Sequence, residues 1–218
     1  ANAITNIWVH NRGGKSVITV DAWRGYGDTG RIELSGTGTL KAPGAAETHF
    51  FQVNDNRVTA TLRGSLGGGN NNLIFAKSGI GTLVLKGDNT FDVRNTALVG
   101  ASTLTLGQPN GISIDGGVLR VAHSNALGTG DGQFANVNVR GDLGAVLEID
   151  GSAGSVNMTN KHIILFHPDN NVTRGLLNRT STEAVHTGIL RNIAGINTIT
   201  GQIDIRNIAD NGNNGFAY

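Results

Sequence analysis

The fold of this chain is decided by the stretch KSGIGTLVLKGDNTF, which spans Lys77–Phe91. Its two glycines, Gly79 and Gly81, permit a tight turn, and the apolar residues of the following TLVL segment alternate as in a β-strand. Leu83 and Leu85 are expected to point inward and to stack on equivalent residues of neighbouring strands. The stretch therefore predicts a short strand that begins directly after a glycine turn.

The same pattern returns at three other places in the sequence. The copies are GTGTL at Gly36–Leu40, STLTLG at Ser102–Gly107 and GGVLRV at Gly116–Val121. Chains that repeat one small unit are usually elongated scaffolds in which each unit packs on the next. The repetition therefore indicates a structural protein more than a pocket that holds chemistry.

The composition agrees with a chain of many tight turns. Of 218 residues, 33 are glycine and 25 are asparagine, and both residue types tolerate left-handed backbone conformations. Proline occurs only 3 times, which argues against a disordered linker rich in proline and glycine. Charged residues make up 15% of the chain, so asparagine, threonine, serine and glycine carry much of the polar surface.

Charge and cysteine content exclude several classes of function. The formal net charge is +1, the cations are scattered, and aromatic residues are only 5%, which argues against nucleic-acid binding. The chain has no cysteine, which rules out disulfides and thiolate metal sites. The longest apolar run, Ile163–Phe166, is far shorter than the ~18 residues of a membrane-spanning helix, so we expect no transmembrane segment.

Alternation with a period of two residues dominates the sequence, which is the signal of β-strands. The pairs that are expected to share a strand face include Ile7/Val9, Ile18/Val20, Ile32/Leu34, Leu83/Leu85, Leu104/Leu106, Ile112/Ile114, Leu119/Val121, Val137/Val139, Leu147/Ile149 and Ile203/Ile205. Helical periodicity is nearly absent. Its one candidate, Arg174–Ala184, is weakened by Gly175 and is expected to form a loop or at most a short turn.

Many short strands with regular turns fit either an antiparallel sandwich or a β-solenoid. A sandwich commonly fills its core with large aromatic residues, whereas the inward residues here are mainly leucine, isoleucine and valine. These residues imply a narrow aliphatic core of the kind that a parallel β-helix provides. With roughly 20 residues per coil, we predict an all-β chain that forms a parallel β-helix, or β-solenoid, of roughly ten short coils with little or no helix.

Lys77–Phe91 resembles the autotransporter-associated β-strand repeat, also called the passenger-associated transport repeat, whose pattern is Lys-x-Gly-x-Gly-Thr-Leu-x-Leu-x-Gly-x-Asn-Thr-aromatic. The elements that follow in the family, Gly-x-Leu-x-Val and Asn-Ala-Leu-Gly, are similar to Gly117–Val121 and Asn125–Gly128. A later element of the family is similar to Asn192–Ile203. The resemblance covers roughly residues 30–210 and departs from the family pattern at Phe91–Gly100.

Membership of this family implies a β-helical passenger outside a bacterium that has an outer membrane. It implies no catalytic residue, because the repeat motif is structural. We expect irregular N-terminal strands or a cap at residues 1–29, a β-solenoid repeat domain at residues 30–210 and a flexible tail at residues 211–218. Any function beyond building a rod is expected in the irregular parts, which are Ala1–Thr29, Phe91–Gly100 and Lys161–Ala184.

Acidic pairs are the main argument for an enzyme, since β-helices can host enzymes that cleave polysaccharides with two carboxylates. Glu148 and Asp150 are two residues apart and are expected to share a strand face, while Asp88 and Asp92 flank a turn. Chance alone produces close pairs in a chain with 16 acidic residues. We therefore favour a solvated outer face and predict no catalytic residue.

The remaining polar motifs predict no metal or cofactor site. The histidines show no metal-ligand spacing, at His10, His49, His123, His162, His167 and His186. Gly67–Leu73 superficially resembles a calcium-binding repeat but carries neutral asparagine where aspartate is needed. Asn157, Asn171 and Asn178 head N-x-S/T triplets, a number that chance explains in a chain with 25 asparagines.

The residues near the two ends of the chain indicate how copies or segments of a solenoid could stack end to end. Aromatic residues gather near the start, where they are expected to plug the first coil or to face a partner, at Trp8, Trp23, Tyr26, Phe50 and Phe51. Neither end shows a clear polar cap, although a solenoid exposes backbone and apolar core at both ends. We therefore expect either a segment of a longer rod or a subunit that stacks end to end into a filament.

The sequence thus favours a structural extracellular protein at the bacterial cell surface, such as a fibre, sheath or adhesive stalk, and not an enzyme. Two alternatives stay open. The first is an adhesin module that binds glycans through an exposed face, and the second is a polysaccharide-degrading enzyme built on a β-helix. The expected partners are further copies or segments of the rod, together with cell-surface or matrix glycans for the adhesin.

Overall fold

A computed structural model of the chain describes residues 5–12, 15–22, 31–40, 47–68, 73–93, 111–129, 132–141, 144–167, 188–207 and 216–217. Nineteen β-strands and no α-helix lie within these residues, which confirms the prediction of an all-β chain with little or no helix. The candidate turn at Arg174–Ala184 and most of the predicted tail at residues 211–218 lie outside the described residues. The strands are numbered in chain order.

The largest sheet has nine strands, which in spatial order are β1 (Thr5–Arg12), β2 (Lys15–Ala22), β5 (Glu47–Val53), β8 (Leu73–Ser78), β10 (Ile112–Ile114), β12 (Gly132–Arg140), β15 (Lys161–His167), β18 (Ile203–Asn207) and β19 (Phe216–Ala217). The seven strands from β2 to β18 run parallel to one another. At the two ends, β1 and β19 pair antiparallel with β2 and β18.

The second sheet has six parallel strands, which are β3 (Arg31–Leu34), β6 (Thr59–Leu62), β9 (Thr82–Leu85), β11 (Val118–Val121), β13 (Val146–Asp150) and β16 (Leu190–Ala194). Two small parallel pairs complete the described strands. They are β4 (Gly38–Leu40) with β7 (Leu66–Gly68), and β14 (Asn157–Met158) with β17 (Thr198–Ile199).

The chain visits these sheets in a fixed order. It runs from β5 to β6 and β7, from β12 to β13 and β14, and from β15 to β16 and β17. Each of these passes therefore adds one strand to the nine-stranded sheet, one to the six-stranded sheet and one to a small pair. Hydrogen bonds between neighbouring passes span 26 residues from Ile112 to Asn138 and 40 residues from Asn160 to Thr200. These spans exceed the roughly 20 residues per coil expected from the sequence.

Inward side chains of the six-stranded sheet stack into apolar columns. Leu83 and Leu85 of β9 are 1% and 0% exposed, and they lie opposite Leu119 and Val121 of β11, which are fully buried. The same columns continue into β13. This confirms that Leu83 and Leu85 point inward and stack on the next strand.

Three phenylalanines also stack through the core. The ring of Phe75 is fully buried and lies 5.0 Å from the ring of Phe51 and 5.7 Å from the ring of Phe91. Phe51 therefore belongs to the core and not to an N-terminal cap or a partner-facing surface, because the register of β5 and β8 places it within stacking distance of Phe75. Other members of that aromatic group have side chains outside the described part of the chain, at Trp8, Trp23 and Tyr26.

Glycines let the turns of neighbouring passes approach closely. Gly117, in the turn between β10 and β11, has a φ angle of 60°. A Cβ atom there would lie 2.5 Å from the carbonyl oxygen of Gly81 and 2.6 Å from that of Gly79, both in the turn between β8 and β9. Any larger residue would meet rigid backbone and would also adopt an unfavourable left-handed conformation.

We expect the variant Gly117→Ala to lower the free energy of unfolding by at least ~2 kcal/mol, because both backbone strain and steric overlap oppose the new methyl group. Gly36→Ala is the matched control, since a Cβ at this exposed glycine has nothing within 4 Å. Its change should stay within about 0.5 kcal/mol. Urea unfolding of both variants measures the difference, and equal losses would contradict the close approach at Gly117.

Candidate functional site

The carboxylate pair considered for catalysis is held in structural contacts. Glu148 in β13 is 3% exposed. Its Oε2 lies 2.7 Å from Nη2 of Arg120, and its Oε1 lies 2.9 Å from Nη1 of Arg191. The three residues occupy matching register positions on β11, β13 and β16. Both carboxylate oxygens therefore form charge-assisted hydrogen bonds that connect three neighbouring strands.

Asp150, the second member of the pair, is kept ionised by its surroundings. The hydrogen bond from the Ser152 hydroxyl contributes most to lowering the pKa of Asp150, and the Ser152 backbone N–H, Arg120 and Lys86 lower it further against the opposing effect of burial. The backbone N–H of Ser152 donates to Oδ1 at 3.0 Å. A glycosidase needs a general acid whose pKa is raised. The pKa of Asp150 is thus lowered and not raised, while Glu148 forms the ion pairs that connect β11, β13 and β16.

The second acidic pair also makes contacts between passes. Asp88 is exposed, and its Oδ1 accepts a hydrogen bond from Nδ2 of Asn125 at 2.8 Å. The backbone N–H of Asp92 donates to the carbonyl oxygen of Gly68 at 3.0 Å. These contacts hold adjacent turns of the chain together.

Asn89 ties three passes of the chain to one another. This side chain is 1% exposed; its Oδ1 accepts from the backbone N–H of Leu66 at 2.8 Å, and its Nδ2 donates to the carbonyl oxygen of Ala126 at 2.7 Å. An asparagine at a turn can bond to its own backbone or to a stacked asparagine. The partners lie instead in the preceding and following passes, because the parallel stacking brings those backbone groups within reach.

The Gly-x-Asn-Thr motif recurs later in the chain, where the asparagine oxygen makes the same kind of bond and the asparagine nitrogen bonds within its own pass. In the segment GINT at Gly195–Thr198, Oδ1 of Asn197 accepts from the backbone N–H of Val156 at 2.8 Å, and Nδ2 donates to the carbonyl oxygen of Ala194 at 2.7 Å. Both copies of Gly-x-Asn-Thr therefore place an asparagine oxygen on a backbone N–H of the preceding pass. This is a structural function for the motif.

Lys77 is a buried cation that the sequence reading did not identify. It is 0% exposed, and its Nζ donates at 2.9 Å to each of the carbonyl oxygens of Ser78, Gly79 and Gly116. All three donors of the ammonium group are therefore used at the turns of two neighbouring passes. Burial lowers the pKa of Lys77 to about 7, an effect that the Asp115 carboxylate partly offsets.

The alternation of inward and outward side chains along β8 predicts that the side chain of Lys77 points inward. Lys77 lies two residues after Phe75, so the strand period places both on the inward face. Its register partner on β10 is Ile114, a core residue. A second buried lysine, Lys161, is 4% exposed and donates from Nζ to the carbonyl oxygen of Gly128 at 2.9 Å.

The side chain of His162 lies within hydrogen-bond distance of a carboxylate. Its Nε2 lies 3.0 Å from Oδ2 of Asp204, whose Oδ1 accepts from Nε2 of Gln202 at 2.6 Å. Within the described ranges, no group of three or more histidine, cysteine, aspartate or glutamate side chains is arranged to hold a metal ion. Several histidines lie outside the residues with described side chains, at His10, His167 and His186.

The structure describes only part of two further motifs, the stretch Gly67–Leu73 and the N-x-S/T triplets. Gly67 lies in β7, whereas Asn70–Asn72 lie outside the described residues. Of the three N-x-S/T triplets, the asparagine of one, Asn157, is exposed in β14. The other two triplets begin outside the described residues, at Asn171 and Asn178.

Within the described strands, the apolar core is open toward its C-terminal end, in that its side chains become more exposed. Along one inward column of the nine-stranded sheet, Val139 is 0% exposed, Leu165 is half-buried and Ile205 is 47% exposed. The six-stranded sheet shows the same trend, since Leu147 is fully buried while its partner Leu190 in β16 is half-buried. Exposed apolar residues at the end of a sheet are a place where further β-structure can pack.

A comparison of the sequence with protein-family models, with curated proteins and with solved structures found no match. Among the described residues, no helix has the length and apolar character needed to cross a lipid bilayer. The functional argument therefore depends on the geometry of this chain and on the repeat that its sequence resembles.

We expect Asn89→Ala to lower the free energy of unfolding by about 3 kcal/mol, because it leaves the N–H of Leu66 and the carbonyl of Ala126 buried without this partner. Asn125→Ala is the matched control, since Asn125 is exposed and its side chain bonds only at the surface to Asp88. Its loss should stay below about 1 kcal/mol. Urea unfolding measures both free energies. If the Asn89 variant lost as little free energy of unfolding as the control, Asn89 would not connect the three passes in the way described.

Lys77 also predicts how stability changes with pH. Its folded pKa of about 7 lies below the ordinary value of 10.5, so between these pH values the unfolded chain holds a proton that the folded chain has released. The free energy of unfolding should therefore rise with pH across this window, by ~5 kcal/mol at most, and Lys77 should add no slope below it.

Unfolding at pH 7, 8 and 9 tests this expectation. Lys77→Met should flatten the rise, whereas Lys86→Met, which removes a half-buried lysine just after β9, should keep it. A slope that is the same in wild type and Lys77→Met would show that Lys77 stays protonated in the fold.

Proposed function

We propose that this chain is a structural β-solenoid that forms part of a fibre, sheath or adhesive stalk at a bacterial cell surface. Its coils run through the nine-stranded sheet, the six-stranded sheet and the small pairs in turn. Among the described residues, seven parallel strands in the first sheet and six in the second would make about six coils of such a solenoid.

The pattern of contacts supports a structural function. Hydrogen bonds, apolar columns and ion pairs all run from one coil to the next, as in the ladder of Arg120, Glu148 and Arg191. Such contacts stiffen a rod along its length without disulfides. Two of the least exposed polar side chains, Lys77 and Asn89, bond to backbone groups of the turns.

The observation that carries the proposal is the open C-terminal end of the core. A globular enzyme or binding module buries the ends of its core, whereas a rod that continues or self-associates leaves them accessible. Ile205 lies at the C-terminal end of the parallel column and has 47% of its surface exposed, although the antiparallel strand β19 pairs with β18 beside it. The terminal strand β16 belongs to a sheet that is parallel throughout, so further parallel strands can extend it.

The surface location rests on the repeat that the sequence resembles. The match at Lys77–Phe91 includes both glycines, the Thr-Leu pair and the Asn-Thr-aromatic end of a bacterial passenger repeat. The absence of cysteine is compatible with this, because coil-to-coil packing replaces disulfides as the stabilising device.

Association of the purified chain tests the proposal. We expect assemblies that grow with protein concentration, seen by light scattering and electron microscopy, and we expect Ile205→Asp to raise the concentration needed at least tenfold. Ile80→Asp is the matched control, because Ile80 is 57% exposed but lies in the turn between β8 and β9, away from the open end. Circular dichroism and Tm establish that both variants are folded.

Other outcomes would favour the alternatives. A chain that stays monomeric at all concentrations and binds a glycan on an array would support an adhesin module. Turnover of a polysaccharide that is lost in Glu148→Gln or Asp150→Asn would identify an enzyme and overturn the structural proposal.

A further inference from the structure

The six-stranded sheet ends in a strand with an open edge. Among the described strands, β16 is the last of this sheet, and β13 is its single neighbour. The nine-stranded sheet continues one pass further at this end, because β18 pairs parallel with β15, and β19 then pairs antiparallel with β18. The pass that contributes β18 therefore adds no described strand beside β16.

A strand beside β16 would cover two apolar side chains. Ile205 of β18 is 47% exposed, and Leu190 of β16 is half-buried although its register partner Leu147 is fully buried. In an earlier pass, β12 of the first sheet contacts β13 of the second across the core. A strand added beside Leu190 at the level of β18 would in the same way lie across the core from Ile205.

The chain contains a template for the strand that fits this edge. β16 carries the pair Leu190–Arg191, and β11 carries the same pair as Leu119–Arg120. The strand that follows β11 in the sheet is β13, which places Leu147 beside Leu119 and Glu148 beside Arg120. An edge with the pair Leu-Arg therefore accepts a parallel strand with the pair Leu-Glu.

The charges along this column favour an acidic residue in the next position. Arg191 lies 2.9 Å from Oε1 of Glu148, whose other oxygen lies 2.7 Å from Nη2 of Arg120. Two arginines thus share one carboxylate, and the side chain of Arg191 is 35% exposed at the end of the column. A guanidinium has five N–H donors in a planar fork, so Arg191 has the capacity to bind a second carboxylate.

The first strand of a folded second copy does not fit this position. The strand β3 has a suitable pattern, Ile32–Glu33–Leu34, but β2 and β3 belong to one pass, as β15 and β16 do. If β3 of a second copy lay beside β16, β2 of that copy would occupy the place of β18. The fitting partner is therefore a separate extended segment.

We propose that the open edge of β16 binds an extended segment of another polypeptide as a parallel strand, with an acidic residue beside Arg191 and an apolar residue beside Leu190. Backbone hydrogen bonds supply the affinity of such an added strand, and the side-chain positions select its sequence. This inference rests on the proposed rod for its biological meaning, because it names the kind of strand that the end of the rod accepts.

Peptide binding to the full chain tests the proposal. The probe is a fluorescent peptide with the sequence AVLEIDG, which is Ala145–Gly151 and contains β13. Fluorescence polarisation should show saturable binding, and the same peptide with Glu148→Lys should bind ~10-fold more weakly, since repulsion replaces attraction. Arg191→Met should abolish this difference. Arg63→Met is the matched control, because it removes an exposed arginine that pairs with Glu33 at the other end of the sheet.

Hydrogen exchange of the wild-type chain locates the bound peptide without any variant. Binding should slow exchange in Leu190–Ala194 and leave Arg31–Leu34 unchanged. No binding, equal affinity for both peptides, or protection at β3 instead of β16 would overturn the proposal. Displacement of the peptide by unlabelled folded chain would overturn it as well, since a second copy would then supply the strand.

The outcome is distinguishable from that of the assembly experiment. A chain that binds the peptide at β16 but never assembles would keep the added strand and contradict self-association. A chain that assembles but binds no peptide would support the rod and overturn the added strand.

Discussion

The rest of the structure depends on parallel hydrogen bonding between successive passes of the chain. The strands from β2 to β18 in the nine-stranded sheet, and all strands of the six-stranded sheet, pair with strands that come from the preceding or following pass. A parallel ladder keeps residues of equal register side by side, so each side chain faces its counterpart one pass away. The apolar column through Leu83 and Leu119 and the ion pairs of Glu148 both follow from this register.

At the turns between sheets, backbone N–H and C=O groups have no partner in the strand ladder. Side chains form hydrogen bonds to them instead. Lys77 uses its ammonium group on three carbonyl oxygens, and Asn89 accepts one N–H and donates to one carbonyl. Gly117 provides the close approach that these short contacts need. Side chain to backbone bonds at the turns therefore complement the strand ladders, and the chain needs no cysteine to hold its coils together.

The sequence predicted the parts of the fold that local pattern controls. Alternation placed Leu83 and Leu85 inward, and the excess of glycine and asparagine predicted the many turns. It did not predict the partners of Asn89, because those groups come from other passes of the chain, 23 and 37 residues away in the sequence. Lys77 was missed because its charge suggested the surface, although its position two residues after Phe75 places it in the core. The sequence also could not show that Glu148 bonds to arginines of the neighbouring strands while Asp150 bonds to Ser152, because only the register between strands brings those arginines beside Glu148.

The parallel register is open to a direct chemical measurement, because the natural chain has no cysteine to interfere. Thr59 and Thr82 are register partners on β6 and β9, so their Cα atoms lie about 5 Å apart, within reach of a disulfide. Under oxidation, the variant T59C/T82C should form the intramolecular disulfide, whereas T59C/V84C, shifted by two residues to about 8 Å, should stay reduced. A disulfide in the shifted pair and none in the register pair would contradict the parallel stacking on which the proposed solenoid depends.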